Sequence, residues 1–377
     1  MKKTVEVWDR MGPLATEWSR LVERTKAGPF LSPGWIDAWW RSYGEGRLQI
    51  LAAYQDERLA GVLPLRRYRG SLTSAANSET PFFGFLADNE IAGEQLADSL
   101  FSQRARQIRL SLLHPGSRML IQSPAARAGY RVVADSMQAL PYVPIDGLSW
   151  DAYESALSKK FRSNLHRCRR RLEQVGDLTL AIYDGKEGLR ELLEEGLRIE
   201  GSGWKDAQGT SIGARPAARR FYTEVARWAA ERGWLRLCFL RLGGRAIAFD
   251  YCLVYDRTVY VLKGGYDPAY RRHGPGIVLT HMSLAQAFSE GLGAYEFLGV
   301  SEPYKLRWAG AQRELQSVHM FAPTVLGSVD FKAYMGVRSA SRRARNLVRS
   351  PLFPERGRRL VRQGYLRWHR WRDTTLL

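Results

Sequence analysis

Along the 377-residue chain the spacing of apolar and polar positions changes several times, and each change predicts a new element. Between Val5 and Tyr142, the β-rich runs in "LQILAAYQDERLAGVLPLRRYR" flank the polar turn "QDER", which predicts a hairpin. The nearby "SPGWIDAWWRSYG" opens on Ser-Pro and continues with aromatics at helical spacing. Farther on, Tyr153, Leu157, Phe161, Leu165, Cys168 and Leu172 recur at steps of three or four, predicting one amphipathic helix that ends at Gly176. A short strand "LTLAIYDG" and a helical pair over 188–233 follow. Then come three strand-like runs, "LRLCFLRLGG", "RAIAFDYCLVYD" and "TVYVLKGGYD", joined at Gly243-Gly244 and Asp256-Arg257 as an antiparallel meander. Next are a basic Gly-Pro-Gly segment, a helix from Ile277 to about Glu290, the strand "AYEFLGV", the turn "SEPYK" and a last strand pair near "ELQSVHMFAP". The pattern predicts an α/β (α+β) architecture of mixed, mostly antiparallel sheets flanked by helices, in three segments: 1–147, 148–326 and a basic tail, 327–377.

Composition narrows the partners. A formal charge of +19 points toward phosphates, nucleic acid, an anionic surface or an acidic polysaccharide, and its distribution is uneven. Seven Lys or Arg and no acid lie between Ser158 and Leu172, and thirteen lie in the tail against Asp330, Glu355 and Asp373. The tail interleaves Tyr365, Trp368 and Trp371 with arginine, as an interfacial helix does, which suits a peripheral membrane contact; a cyclic dinucleotide stacked on those rings is the other reading. No DNA partner is expected. The three cysteines, Cys168, Cys238 and Cys252, carry no CxxC spacing, and no two histidines sit at i,i+4, so neither a disulfide framework nor a metal site is expected. Lys2 and Lys3 have no apolar run behind them and no window approaches 18 apolar residues, which points to a cytoplasmic protein.

The segment Arg271-Arg272-His273-Gly274-Pro275-Gly276 joins the last meander strand to a helix. Glycines there let the backbone approach an anion, and the helix start aims N–H groups and a partial positive charge at it; the alternative is a plain turn with solvated arginines. It fits the R/QxxGxG/A phosphate loop, and in this strand and helix context the chain resembles the GNAT acyltransferases. More narrowly it is similar to the bacterial CelD/BcsL branch, through "PFLSPGWIDAWW", "FRSNLHRCRRRLEQVG", "EGSGWKDAQGTSI", "VLKGGYDPAYRRHGPGIVL" and "YEFLGVSEPYKLRWA". The resemblance covers roughly residues 5 to 325 and implies tandem GNAT-like domains. It also implies acetyl-CoA as co-substrate, held by Arg271, Arg272, His273, Gly274, Gly276 and Ile277, and an amino sugar or hydroxyl of an exopolysaccharide or envelope precursor as acceptor. Two other readings stay open: a Fem-like transferase drawing on aminoacyl-tRNA, and a silent GNAT-like receptor for a cyclic dinucleotide or a membrane surface.

Acyl transfer needs a proton donor for the departing thiolate and a base for the nucleophile. Tyr304 stands where GNAT proteins place a general-acid tyrosine, and it reads equally as an aromatic anchoring a turn. Asp250, inside the apolar run "AIAFDYCLV", is a carboxylate that burial would tune, or else the structural partner of Lys263. Glu200 is the other candidate base. Trp204, Lys205, Lys263 and Tyr266 are expected to line the acceptor site; Lys305 could meet a phosphate or carboxylate, though a surface lysine with its head in solvent is the expectation.

Overall fold

The computed structural model describes residues 2–114, 116–202, 209 and 211–349. In chain order they form β1 (Lys3–Trp8), α1 (Ala15–Thr25), α2 (Pro33–Tyr43), β2 (Arg47–Gln55), β3 (Arg58–Tyr68), β4 (Ser71–Ser74), β5 (Leu86–Ala87), α3 (Glu90–Ser102), β6 (Gln107–Leu113) and α4 (Ser117–Arg127). There follow β7 (Arg131–Pro144), α5 (Trp150–Ala156), α6 (Lys159–Glu173), β8 (Leu178–Tyr183), α7 (Leu189–Gly201), α8 (Pro216–Glu231), β9 (Leu235–Leu242), β10 (Arg245–Tyr255) and β11 (Thr258–Tyr266). The last elements are α9 (Pro275–Ser289), β12 (Ala294–Glu296), β13 (Ala311–Phe321) and α10 (Val325–Arg349).

Contacts divide the chain into two units that interleave in sequence, unlike the consecutive 1–147, 148–326 and 327–377 segments expected. One unit takes the described residues of Met1–Arg10, Glu45–Asp135 and Ser317–Leu377; the other takes Met11–Gly44 and Ser136–Gln316. The Tyr255 hydroxyl donating to Val22 O at 3.0 Å ties α1 to the second unit, and long-range aromatic packing draws in α2. Trp35 and Tyr43 of α2 set their rings 5.0 and 5.6 Å from Phe221 of α8, and Gly34 lies so close under Trp228 that no side chain fits there.

In the first unit β1-β2-β3-β4-β6 lie side by side, with β5 paired to β3. The predicted hairpin is β2 and β3, closed by Asp56 and Glu57 at φ 47° and 68°, the left-handed pair that a two-residue turn between twisted strands demands. All but the first two residues of α10 belong to the tail segment, and the helix is held here by Arg106 on Asp330 at 2.7 Å and Arg338 on Asp135 at 2.7 Å. The aromatic tail positions Tyr365, Trp368 and Trp371 lie outside the described residues.

In the second unit the order is β7-β12-β11-β10-β9-β8, antiparallel except for the parallel pair β11 and β12. The meander is therefore β9, β10 and β11, as its spacing predicts. One face buries Tyr153, Phe161, Leu165, Cys168, Leu172, Val278 and Leu279 of α5, α6 and α9 against Cys238, Leu240, Cys252, Val259 and Tyr295 of the strands. The single helix expected over these positions is two: Leu157 is extended at ψ 147°, and the Ser158 hydroxyl oxygen accepts from Phe161 N at 3.4 Å, restarting the helix with a cap. On the other face α7 crosses β10 and β11 at glycines. A side chain on Gly196 would meet the Phe249 ring at 2.5 Å, and one on Gly265 would meet Glu200 Cα at 2.6 Å and Ile199 O at 3.1 Å.

Two outcomes follow from this packing. Gly265→Ala forces a methyl against backbone that cannot rotate away, and urea unfolding is expected to register a loss of about 1–3 kcal/mol; a change under ~0.5 kcal/mol, the usual surface value, contradicts the close approach. His281 of α9, 7% exposed with Nε2 2.7 Å from Glu154 Oε1, has its pKa lowered by burial, which outweighs the carboxylate. A group whose folded pKa is depressed binds its proton more readily in the unfolded chain. Its contribution is thus present above the ordinary histidine value and lost as pH falls toward the folded one. The melting temperature is expected to drop on acidification from pH 7.5 through the range below about 6.5, and to drop less in His281→Gln; equal slopes for the two proteins would exclude this role.

Candidate active site

The site begins where two strands separate. β12 pairs in parallel with β11 over three residues, Thr258 with Ala294, Val259 with Tyr295 and Tyr260 with Glu296, and then the strands part. On its β7 edge β12 stays joined one residue longer, Phe297 N–H donating to Pro141 O at 3.1 Å, and Leu298 and Gly299 then take left-handed φ of 53° and 60°. On its other edge β11 carries a bulge: Tyr251 pairs with Lys263 and Cys252 with Val261, so Leu262 is the extra residue. The bulge bends the second half of β11 just where β12 leaves it.

Past the end of β11, Asp267 accepts from Ala269 N at 2.9 Å and caps the 3₁₀ turn Pro268–His273, while Arg245 pairs with it at 2.9 Å. Gly274 at φ 65° reverses the chain, and its carbonyl accepts from Ile277 N and Val278 N at 3.1 and 3.2 Å, starting α9. Pro275 is the first helical residue, where a missing N–H costs nothing and a fixed φ is an advantage. The turn is seated closely: a side chain on Gly274 would meet Cys168 Sγ of α6 at 3.0 Å, and one on Gly276 the Tyr266 ring at 3.3 Å. Arg271 and Arg272 are exposed, with no carboxylate within ion-pair distance among the described residues. His273 is half-buried, and its Nδ1 is buried without a hydrogen-bond partner among them. Ile277 packs on the α9 face of the core.

The candidate carboxylates separate by face. Asp250 of β10 stands opposite Gly264 in register, its Oδ1 occupying the space a Gly264 side chain would need. Glu200 lies against the next residue, Gly265, and consecutive strand residues point to opposite faces, so Asp250 and Glu200 are on opposite sides of β11. Glu200 is 2% exposed and accepts from Ile212 N at 2.9 Å, which ties the end of α7 to the segment before α8. Lys263 shares the Glu200 side, its Nζ 5.5 Å from the Tyr222 ring centroid, and Tyr266 is 36% exposed on the side of Gly276. Trp204 and Lys205 lie outside the described residues.

Tyr304 follows the left-handed turn and is half-exposed. Desolvation raises its pKa above the ordinary phenol value, and the carboxylates of Glu302 and Asp250 raise it further, so Tyr304 and Asp250 are brought within electrostatic reach of each other. Lys305 is not at the surface as expected. It is 8% exposed, and its ammonium donates to Leu298 O at 2.9 Å and pairs with Glu302 at 3.1 Å, fastening the turn that carries Tyr304.

One group was not anticipated. Glu296, the last residue paired before the strands part, is 2% exposed; Arg313 Nε of β13 lies 2.6 Å from its Oε1, while Oε2 is buried with no partner among the described residues. Burial raises its pKa, with Arg313 opposing. The Arg313 guanidinium sits 4.3 Å over the Tyr142 ring, and Tyr260, opposite Glu296 in register, is pushed up to about 12 by burial with Glu296 adding to the effect. The only signal in the sequence is an acid within the apolar run "AYEFLGV".

Among the described residues no group of three or more His, Cys, Asp or Glu could hold a metal ion, and no helix is long and apolar enough to cross a membrane. Residues 159–306 match the profile of the family described as Acetyltransferase (GNAT) domain. No curated protein matches the chain. Among solved structures, FemX is similar at 15% identity and a TM-score of 0.57, over 84% of this chain and 97% of that one. The C-terminal domain of a putative lysylphosphatidylglycerol synthetase from Agrobacterium fabrum is similar at 12% identity and a TM-score of 0.52, over 85% and 95%. A conserved protein of unknown function from Bacteroides thetaiotaomicron is similar at 11% identity and a TM-score of 0.53, over 84% and 100%. At these identities the three show a common fold. The mixed, mostly antiparallel sheet flanked by helices is that fold, residues 159–306 within it match the GNAT acetyltransferase family, and the protein is an acyltransferase.

Proposed function

We propose that this acyltransferase takes its acyl group from acetyl-CoA and passes it to an amine or hydroxyl of an envelope or exopolysaccharide precursor. The observation that carries the donor half is the parting of β11 and β12 beside the Gly274-Pro275-Gly276 helix start. The gap between the strands suits an extended pantetheine arm, and the helix start with Arg271 and Arg272 suits the pyrophosphate. The acceptor class rests on the resemblance to the CelD/BcsL branch, and the cytoplasm, where acetyl-CoA is supplied, is the compartment it implies. Lys263 and Tyr266, at the open end of β11, are assigned to the acceptor and acyl chain.

The chemistry assigned to the chain's own residues is direct transfer. Tyr304 gives its proton to the leaving thiolate. Asp250, a candidate base by sequence, is assigned the role of keeping that phenol protonated, since its charge raises the Tyr304 pKa. Glu200, buried and spent on Ile212 N, is assigned to holding the α7 end against Gly265. To the basic tail we assign a peripheral contact with an anionic membrane surface, a reading supported by the exposed apolar Val325, Leu326 and Val329 at the start of α10, 82%, 61% and 57% accessible.

Calorimetry with acetyl-CoA tests the donor assignment. The wild type is expected to bind saturably, and the double variant Arg271→Ala, Arg272→Ala about tenfold or more weaker, the loss of one or two charge-assisted hydrogen bonds. Binding of charged tRNA with no response to acetyl-CoA would overturn it. For the acid, Tyr304→Phe is expected to slow thiol release from acetyl-CoA by about 10²–10⁴-fold without changing acetyl-CoA affinity; an undiminished rate removes Tyr304 from the mechanism.

A further inference from the structure

The sheet has two faces at the point where β11 and β12 part, and Tyr304 and Asp250 account for only one. Tyr295, the residue before Glu296, is buried in the core under α9, so Glu296 projects to the opposite face. Tyr260 projects there too, its ring 5.1 Å from Phe30, and so does Lys263 over Tyr222. Glu296 therefore closes the narrow end of the gap from the side away from Tyr304.

Its bonding is half complete. A carboxylate has two oxygens and about four acceptor positions. Here Arg313 serves Oε1 through one nitrogen, and Oε2 is buried with nothing donating to it among the described residues. Leaving such an oxygen dry and unpaired costs about 1–3 kcal/mol or more for a charged group, and proteins keep few of them without a use. Tyr260 is its register neighbour, yet Oε2 still lacks a donor. An amine or hydroxyl reaching the thioester carbon from this face would supply the missing donor.

We propose that Glu296 binds the acceptor's N–H or O–H through Oε2 and takes its proton during attack. This rests on the acetyl-CoA reading above and adds the nucleophile's half to it. The acceptor's lone pair forms the new C–N or C–O bond at the thioester carbonyl carbon, and the proton it sheds passes to Glu296. Collapse of the tetrahedral adduct breaks the C–S bond, the sulfur leaves with that electron pair, and Tyr304 protonates it. Glu296 ends one proton richer and Tyr304 one poorer, and solvent restores both. Base and acid thus act from opposite faces of the gap, which keeps them from neutralising each other. The groups that set when Glu296 can accept a proton are its own buried position, Arg313 of β13, Tyr260 of β11 and Tyr142 of β7.

The test uses the full chain, acetyl-CoA, and glucosamine as probe acceptor, with water as acceptor where glucosamine adds nothing to thiol release. Glu296→Gln is expected to bind acetyl-CoA as the wild type does, to lose about 10²–10⁴-fold in kcat, and to lose the acidic limb of the kcat/KM profile. Glu296→Asp, with the carboxylate drawn back, is expected to keep that limb at an intermediate rate. An infrared difference titration of wild type against Glu296→Gln needs no turnover, and is expected to show one carboxyl titrating above the ordinary glutamate range. Unchanged kcat and pH profile with acetyl-CoA still bound, or a carboxyl titrating at or below that range, overturns the assignment alone. Failure of the wild type to bind acetyl-CoA overturns the donor reading and this inference with it.

Discussion

Everything at the site depends on how few residues β11 and β12 share. A parallel pair that stops at Tyr260 and Glu296 forgoes hydrogen bonds that continued pairing would make, and buried backbone polar groups do not tolerate that without compensation. The compensation is local. On the β7 edge Phe297 N still meets Pro141 O, while past the gap the left-handed Leu298 and Gly299 turn the chain away and the Leu298 carbonyl is held by the Lys305 ammonium. The opening is thus a maintained feature of the sheet, and the loop that follows it is anchored by a charge.

Two adjacent glycines make this opening usable on both sides. Gly264 leaves room for the Asp250 carboxylate, and Gly265 lets the backbone of α7 lie against the strand. Side chains at these positions would push the carboxylate or the helix off the sheet. β11 therefore has the Asp250 carboxylate of β10 beside it, within reach of Tyr304, on one face, and its own Lys263 and Tyr260 with Glu296 of β12 on the other. A bulge at Leu262 tilts the half that does this.

What was legible in the sequence was what short-range chemistry writes there. The hairpin around Asp56-Glu57, the meander, and the helix start at Gly274-Pro275-Gly276 each follow from neighbours in the chain, and Pro275, awkward as an anion ligand, is natural as a first helical residue. Leu157 kept the helical period of α5 and α6 while Ser158 broke the backbone, so periodicity alone joined two helices. The packing of residues 11–44 is not written locally, because their aromatic face is satisfied by α8, nearly two hundred positions later, which no local pattern records. Glu296 goes unremarked for a related reason, since Arg313, which serves its carboxylate, stands on another strand. Lys305 is bonded by its near neighbours Leu298 and Glu302, and it is the closing of that turn, which composition does not record, that buries it.

The burial of Lys305 has a consequence for self-modification. An enzyme that carries activated acyl groups past its own side chains exposes its amines to acylation, and Lys305 is the neighbour of the proposed acid. Its nitrogen, however, is committed as a donor to Leu298 O and as a cation to Glu302, and it is almost wholly withdrawn from the surface. The lysine next to the chemistry is thereby kept from becoming its substrate.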